Sequence, residues 1–65
     1  MPLRPDEIRK WSPEKRKEEL KKLRMMLMGL LARKSRGALK ETAKIKQTKK
    51  DIARILTIMR ELGEV

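Results

Sequence analysis

Thr42 to Leu62 reads TAKIKQTKKDIARILTIMREL, and the apolar positions in this stretch decide the fold. Ile45, Thr48, Ile52, Ile55, Met59 and Leu62 step by threes and fours, the spacing that gathers side chains on one face of an α-helix. Lys46, Lys50 and Arg54 recur every fourth residue behind that seam, roughly opposite it at about 100° per residue. Lys49 and Arg60 flank the seam. Like charges one turn apart cost an isolated helix roughly 0.2–0.5 kcal/mol per pair. Asp51 is the only acid between Lys46 and Arg54, so little offsets that repulsion. A polyanion lying along the face would turn the repulsion into affinity. The competing reading, an ordinary solvated lysine face, explains the local pattern but not the charge of the whole chain.

Working outward, Ser35-Arg36-Gly37 interrupts the helical pattern, and Gly37 supplies an easy left-handed residue at a helix end. Before it, Leu20, Leu23, Leu27, Leu30 and Leu31 form a second seam, on a helix predicted from Pro13 to about Arg33. Arg16 continues that row, with its stem expected over apolar surface and its head in water. Ser12-Pro13-Glu14 reads as N-cap, first helical residue and acidic second position. Pro5, Asp6 and Glu7 open a shorter helix over about 5–10, with Ile8 and Trp11 as its apolar contacts. The third helix is expected over about 41–62, ended by Gly63. A short connection between the long helices folds them back antiparallel, leucine seam against isoleucine seam. The predicted fold is therefore all-α: a short N-terminal helix plus an antiparallel pair of long helices, in one domain over residues 1–65.

The 65 residues hold 19 Lys and Arg against 9 Asp and Glu, a formal net charge of +10. An excess this large argues for a polyanionic partner, nucleic acid or an anionic surface. There is no cysteine and no histidine, so a zinc site would need carboxylates alone, a poor donor set for that metal. No metal or other cofactor is expected. The longest apolar stretch, Met25 to Ala32, is too short to span a bilayer and sits mid-chain, unlike a signal peptide. A cytosolic protein is the expectation.

Catalysis finds no support. The chain lacks cysteine, histidine and any glycine spacing of a phosphate-binding loop. Glu14, Glu18, Glu19, Glu41, Asp51 and Glu61 stand among Lys and Arg, and are expected on exposed faces as helix-surface ion pairs, for instance with Lys21 and Lys22. A second basic cluster, Arg33, Lys34, Arg36 and Lys40, surrounds the turn. Cations there suit the dipole of the preceding helix, but four within eight residues exceed what capping needs. Such a tip can reach into the phosphate groove of a folded RNA. Met25 and Met28 point away from the leucine seam, whereas Met26 flanks it. With Gly29 they form a candidate protein-contact patch, against the plainer reading of ordinary surface. Trp11 stands alone as the aromatic residue, which fits a packing anchor between the first helix and the long pair, and argues against base stacking.

Residues 44–61, KIKQTKKDIARILTIMRE, resemble the C-terminal helix of the large-ribosomal-subunit protein twenty-nine family. Asp51-Ile52-Ala53-Arg54-Ile55, followed by Leu56-Thr57-Ile58, is the most specific piece. Leu3-Arg4-Pro5-Asp6-Glu7-Ile8-Arg9, Ser12-Pro13-Glu14 and Leu20-Lys21-Lys22-Leu23-Arg24 resemble the family's start as well, so the likeness covers nearly the whole chain. The turn, Arg33 to Lys40, resembles archaeal and eukaryotic members more than bacterial ones, and the short C-terminal end favours archaea. The resemblance implies a structural component that binds large-subunit ribosomal RNA near the exit tunnel. Its neighbours there would be ribosomal protein twenty-three and visiting targeting factors or chaperones, with the chain itself a monomer within the ribosome. Lys46, Lys49, Lys50 and Arg54 would contact RNA, with Arg4 and Arg9 as weaker candidates.

Two other classes compete. A self-associating helical interaction module would use the heptad-like seams between copies. A membrane-surface helix is disfavoured because such helices carry Trp or Phe beside their leucines, and Trp11 lies outside the long helices.

Overall fold

Prolines open the first two helices. The computed structural model describes residues 3–35 and 42–65, with the side chains of Lys34 and Ser35 left out. The turn residues Arg36, Gly37 and Lys40 lie outside the described residues. Helix α1 spans Pro5–Lys10, with Pro5 in the first turn where a missing N–H goes unnoticed. The Arg4 carbonyl accepts the Glu7 and Ile8 amides at 3.1 and 3.2 Å, and the Trp11 amide closes the far end on Ile8 O. Helix α2 spans Pro13–Ser35. Its N-cap is Ser12, whose hydroxyl oxygen accepts the Lys15 amide at 3.1 Å while its carbonyl accepts that of Arg16. Lys15 Nζ in turn sits 5.2 Å from the centre of the Trp11 ring, a cation–π contact across the α1–α2 junction.

Helix α3 spans Thr42–Glu61. Gly63 takes φ +71°, the left-handed conformation that L side chains resist. The Gly63 amide reaches Arg60 O at 3.1 Å and the Glu64 amide reaches Met59 O at 2.8 Å, the paired bonds of a Schellman termination. This turn reverses the chain, so Glu64 comes back against the start of α2.

The long helices run antiparallel. Arg16, in the second turn of α2, meets Glu64 just past α3, while Met26 Sδ, farther along α2, lies 3.9 Å from Thr48 Oγ1 near the start of α3. Ile8, Leu20, Ile55, Ile58 and Met59 form a contiguous buried cluster, with Leu3, Trp11, Leu23, Ile52 and Leu56 packed against it. Leu30 and Ile45 are buried nearer the turn. The all-α hairpin with a short first helix is thus the observed architecture, and Trp11 packs against the core as a junction residue should.

Five expectations are corrected by the packing. Leu31 and Leu62 belong to the seams by spacing, yet both are exposed. Ile58 takes the place of Leu62 at 3% exposure, and Ile52 is only partly buried. The reason is α1, which packs against α3 and brings the fully buried Ile8 onto it, so the buried arc of α3 turns toward Ile58. The same shift buries Asp51, expected on a solvated face. Its Oδ1 accepts the Leu3 amide at 3.3 Å, Gln47 Nε2 at 3.1 Å and Arg54 at 3.1 Å, fixing the N-terminal segment to the middle of α3. Arg16 departs most. Its head does not reach water: the side chain is 4% exposed and its guanidinium faces Glu64.

Candidate nucleic-acid interface

Lysine placement along α3 follows directly from where that helix buries its apolar arc. With Ile45, Thr48, Ile55 and Met59 turned inward, the outer surface of α3 carries Lys46 and Lys50 opposite that arc and Lys49 at its flank, all exposed. Small side chains continue the face. Ala53 and Thr57 are exposed, and the Thr57 hydroxyl donates its proton to Ala53 O at 2.8 Å. Arg60 extends the basic surface into the last turn. Among the described residues no carboxylate pairs with Lys46, Lys49 or Lys50 within ion-pair distance. No described carboxylate neutralises the charge on this face, and Lys46 and Lys50 repel across one turn.

Arg54 is different. It is half-buried and its guanidinium is engaged by Asp51 at 3.1 Å, at the edge of the lysine face and not in its middle. Arg9 is engaged too: Nε and NH2 reach the two Glu61 oxygens at 3.0 and 3.2 Å, a two-pronged pair, and NH1 reaches Asp6 at 2.9 Å. That pairing holds the Glu61 carboxyl below its ordinary pKa, chiefly through the hydrogen bond from Arg9, and raises Arg9 in return. Arg4 is exposed just before α1, and Arg33 is exposed near the end of α2. The Lys34 side chain, Arg36 and Lys40 fall outside the described side chains. Met25, Met28 and Gly29 are all exposed on α2, at 64% and 71% for the two methionines.

The structure also assembles a cation clamp that no spacing rule announced. Arg16 Nε donates to Glu64 Oε1 at 2.8 Å, NH2 donates to Glu64 Oε2, and NH1 reaches the carbonyls of Ile8, Arg9 and Trp11. One guanidinium thereby ties the end of α1, the start of α2 and the turn that follows α3 together. The Arg16 hydrogen bond is the leading cause that holds the Glu64 carboxyl below its ordinary value. One clue existed in the sequence. An arginine stood in register with a leucine seam, and a glutamate followed the glycine that reverses the chain.

A small basic helical hairpin whose α3 lysines meet no carboxylate among the described residues has the form of a structural protein suited to a polyanionic partner. A profile of the family described as ribosomal L29 protein matches residues 6–61. The chain therefore belongs to the ribosomal L29 protein family, whose members are structural, non-enzymatic proteins of the large ribosomal subunit. It is similar to large ribosomal subunit protein uL29 of Sulfolobus acidocaldarius, 51% identical over 61 residues, covering 94% of this chain and 88% of the relative. The corresponding protein of Staphylothermus marinus is 51% identical over 59 residues, covering 91% and 88%. That of Sulfurihydrogenibium is 48% identical over 59 residues, with the same shares covered. Archaeal proteins are thus among its relatives. No solved structure gives a significant match.

Proposed function

We propose that the chain binds folded large-subunit ribosomal RNA through the outer face of α3, near the polypeptide exit tunnel. Lys46, Lys49 and Lys50 make the central phosphate contacts in this reading. The observation that carries it is their combination of exposure, shared face and lack of any acidic partner among the described residues. Arg33, Lys34, Arg36 and Lys40 extend the contact at the turn, and Arg4 adds a cation near α1. Arg54 and Arg9 contribute by exchanging part of their bonding to Asp51 and Glu61 for phosphate. Contact by charge and shape suits a folded RNA, whose deep groove excludes side chains. Membership of the large subunit brings ribosomal RNA and other ribosomal proteins as partners, and the family resemblance favours ribosomal protein twenty-three as neighbour, with targeting factors or chaperones as visitors. As a member of the large ribosomal subunit the protein acts in the cytoplasm. Among the described residues no helix is long and apolar enough to cross a membrane. The self-association reading gains no support from the packing, because the seams it needs between copies are occupied by each other within one chain.

The test compares binding to large-subunit ribosomal RNA and to an unrelated structured RNA of equal length, at two salt concentrations, for the native chain and a Lys46→Ala/Lys49→Ala/Lys50→Ala variant. Each lost phosphate contact lowers the salt slope by about one, so the triple variant should lose about three. Selectivity for the ribosomal RNA with that drop supports the reading. A slope left unchanged by the substitutions removes the α3 face from it.

A further inference from the structure

A second surface on α2 has a different chemistry from the lysine face of α3. Lys17, Leu20, Lys21, Arg24, Met25 and Met28 line an open groove of about 310 Å³. Apart from Leu20, which belongs to the core edge, these positions fall at successive turns along one side of α2. The floor is apolar, made of the Leu20 edge and two thioether side chains that stand mostly in solvent. The rim is cationic. Lys21 and Arg24 make no ion pair with a described residue, and Lys17 stands only near enough to Glu64 to help lower its pKa. No described acid lines the groove, and Glu18 and Glu19 both stand 3.5 Å from Lys22, outside its lining.

We infer that this groove docks an amphipathic helix of another protein, one whose apolar row is flanked by aspartate or glutamate. Apolar side chains from that helix fill the trough, and its carboxylates meet Lys17, Lys21 and Arg24. Charge complementarity selects the acidic flanks. The methionines select a protein over an RNA: thioethers give phosphates and base edges nothing to bond, but adapt to apolar side chains of varied shape. Flexible methionine surfaces are suited to receiving more than one such helix. The groove uses none of the residues assigned to RNA, so it stands independently of that reading.

Fluorescence anisotropy of the full chain with a labelled amphipathic peptide of about five helical turns tests this. One peptide carries leucines flanked by glutamates, and a second carries the same leucines flanked by lysines. The glutamate peptide should bind the native chain and the lysine peptide should not. A Lys17→Glu/Lys21→Glu/Arg24→Glu variant should lose the glutamate peptide by about tenfold or more and gain the lysine peptide. Met25→Ser/Met28→Ser should weaken the glutamate peptide, with unchanged far-UV circular dichroism showing that the fold persists. The Lys46→Ala/Lys49→Ala/Lys50→Ala variant should bind the peptide as the native chain does, which separates this surface from the RNA face. Equal binding of both peptides, or unchanged affinity in the charge-reversed variant, overturns the inference. So does failure of the glutamate peptide to bind while phosphatidylcholine–phosphatidylserine vesicles do, which would make the groove a lipid-facing surface.

Discussion

Truncating Ile58 to alanine should destabilise the free chain far more than truncating Leu62, although helical spacing ranks them the other way. Ile58 is 3% exposed within the cluster formed with Ile8, Leu20, Ile55 and Met59, whereas Leu62 is 48% exposed just past α3. Removing three buried carbons from Ile58 forfeits about 2.4 kcal/mol of transfer free energy at roughly 0.8 kcal/mol each. Any cavity that α1 fails to close adds to this, and measured truncations of buried isoleucine run about 2–5 kcal/mol. We expect about 3 kcal/mol for Ile58→Ala. At half exposure, Leu62→Ala should cost about 1 kcal/mol by the same count. A core this small supplies roughly 3–5 kcal/mol in total, so Ile58→Ala should leave much of the RNA-free protein unfolded at 25 °C, while Leu62→Ala remains folded. Urea denaturation followed by far-UV circular dichroism measures both, with Trp11 fluorescence reporting on α1. Equal destabilisation by the two substitutions would refute the argument that α1 turns the buried arc of α3 toward Ile58.

The two depressed carboxyls make stability fall in acid. Glu61 and Glu64 have lower pKa values folded than the ordinary 4.5, so their pairs with Arg9 and Arg16 contribute fully above that value and are lost as pH drops through the folded values. Thermal melts should be nearly level from pH 7 to 5 and decline below about 4.5, and the decline should be shallower in Glu64→Gln; an identical acid profile in that variant would count against the Arg16 clamp. The two described glycines should respond with opposite signs. Gly29→Ala meets nothing within 4 Å on an exposed helical face and should stabilise by about 1 kcal/mol, whereas Gly63→Ala must hold φ +71° and should destabilise by about 1–2 kcal/mol. Urea midpoints moving in the same direction would contradict the Schellman termination assigned to Gly63.

Much of the hairpin was legible because helical periodicity is a local property of the chain. Leu20 and Leu30 on α2, and Ile45, Ile55 and Met59 on α3, are buried where threes and fours place them. The Ser12 cap and the Gly63 termination follow from residue types whose hydroxyl or missing Cβ acts within one turn. The outward set of lysines on α3 was legible for the same reason, as the complement of the apolar seam.

Tertiary structure decided which cations are free. Spacing reads Arg54 with Lys46 and Lys50 as one basic face, Arg9 as a weaker RNA candidate and Arg16 as a seam residue with its head in water, yet each of the three arginines finds a carboxylate within the described chain. Two of those partners, Glu61 for Arg9 and Glu64 for Arg16, are some fifty positions distant in sequence, as is the Leu3 amide that meets Asp51. No window of a few turns contains such pairs. The sequence determined three helices, their inward faces and a surplus of positive charge, because helix formation and amphipathicity are set by neighbours within a turn or two. Only the docking of α1 onto α3 and the chain reversal at Gly63 determined that Asp51 and Arg16 are buried, each held by a group some fifty positions away. Long-range ion pairs and the exact buried arc depend on how helices meet, and that geometry is absent from local spacing.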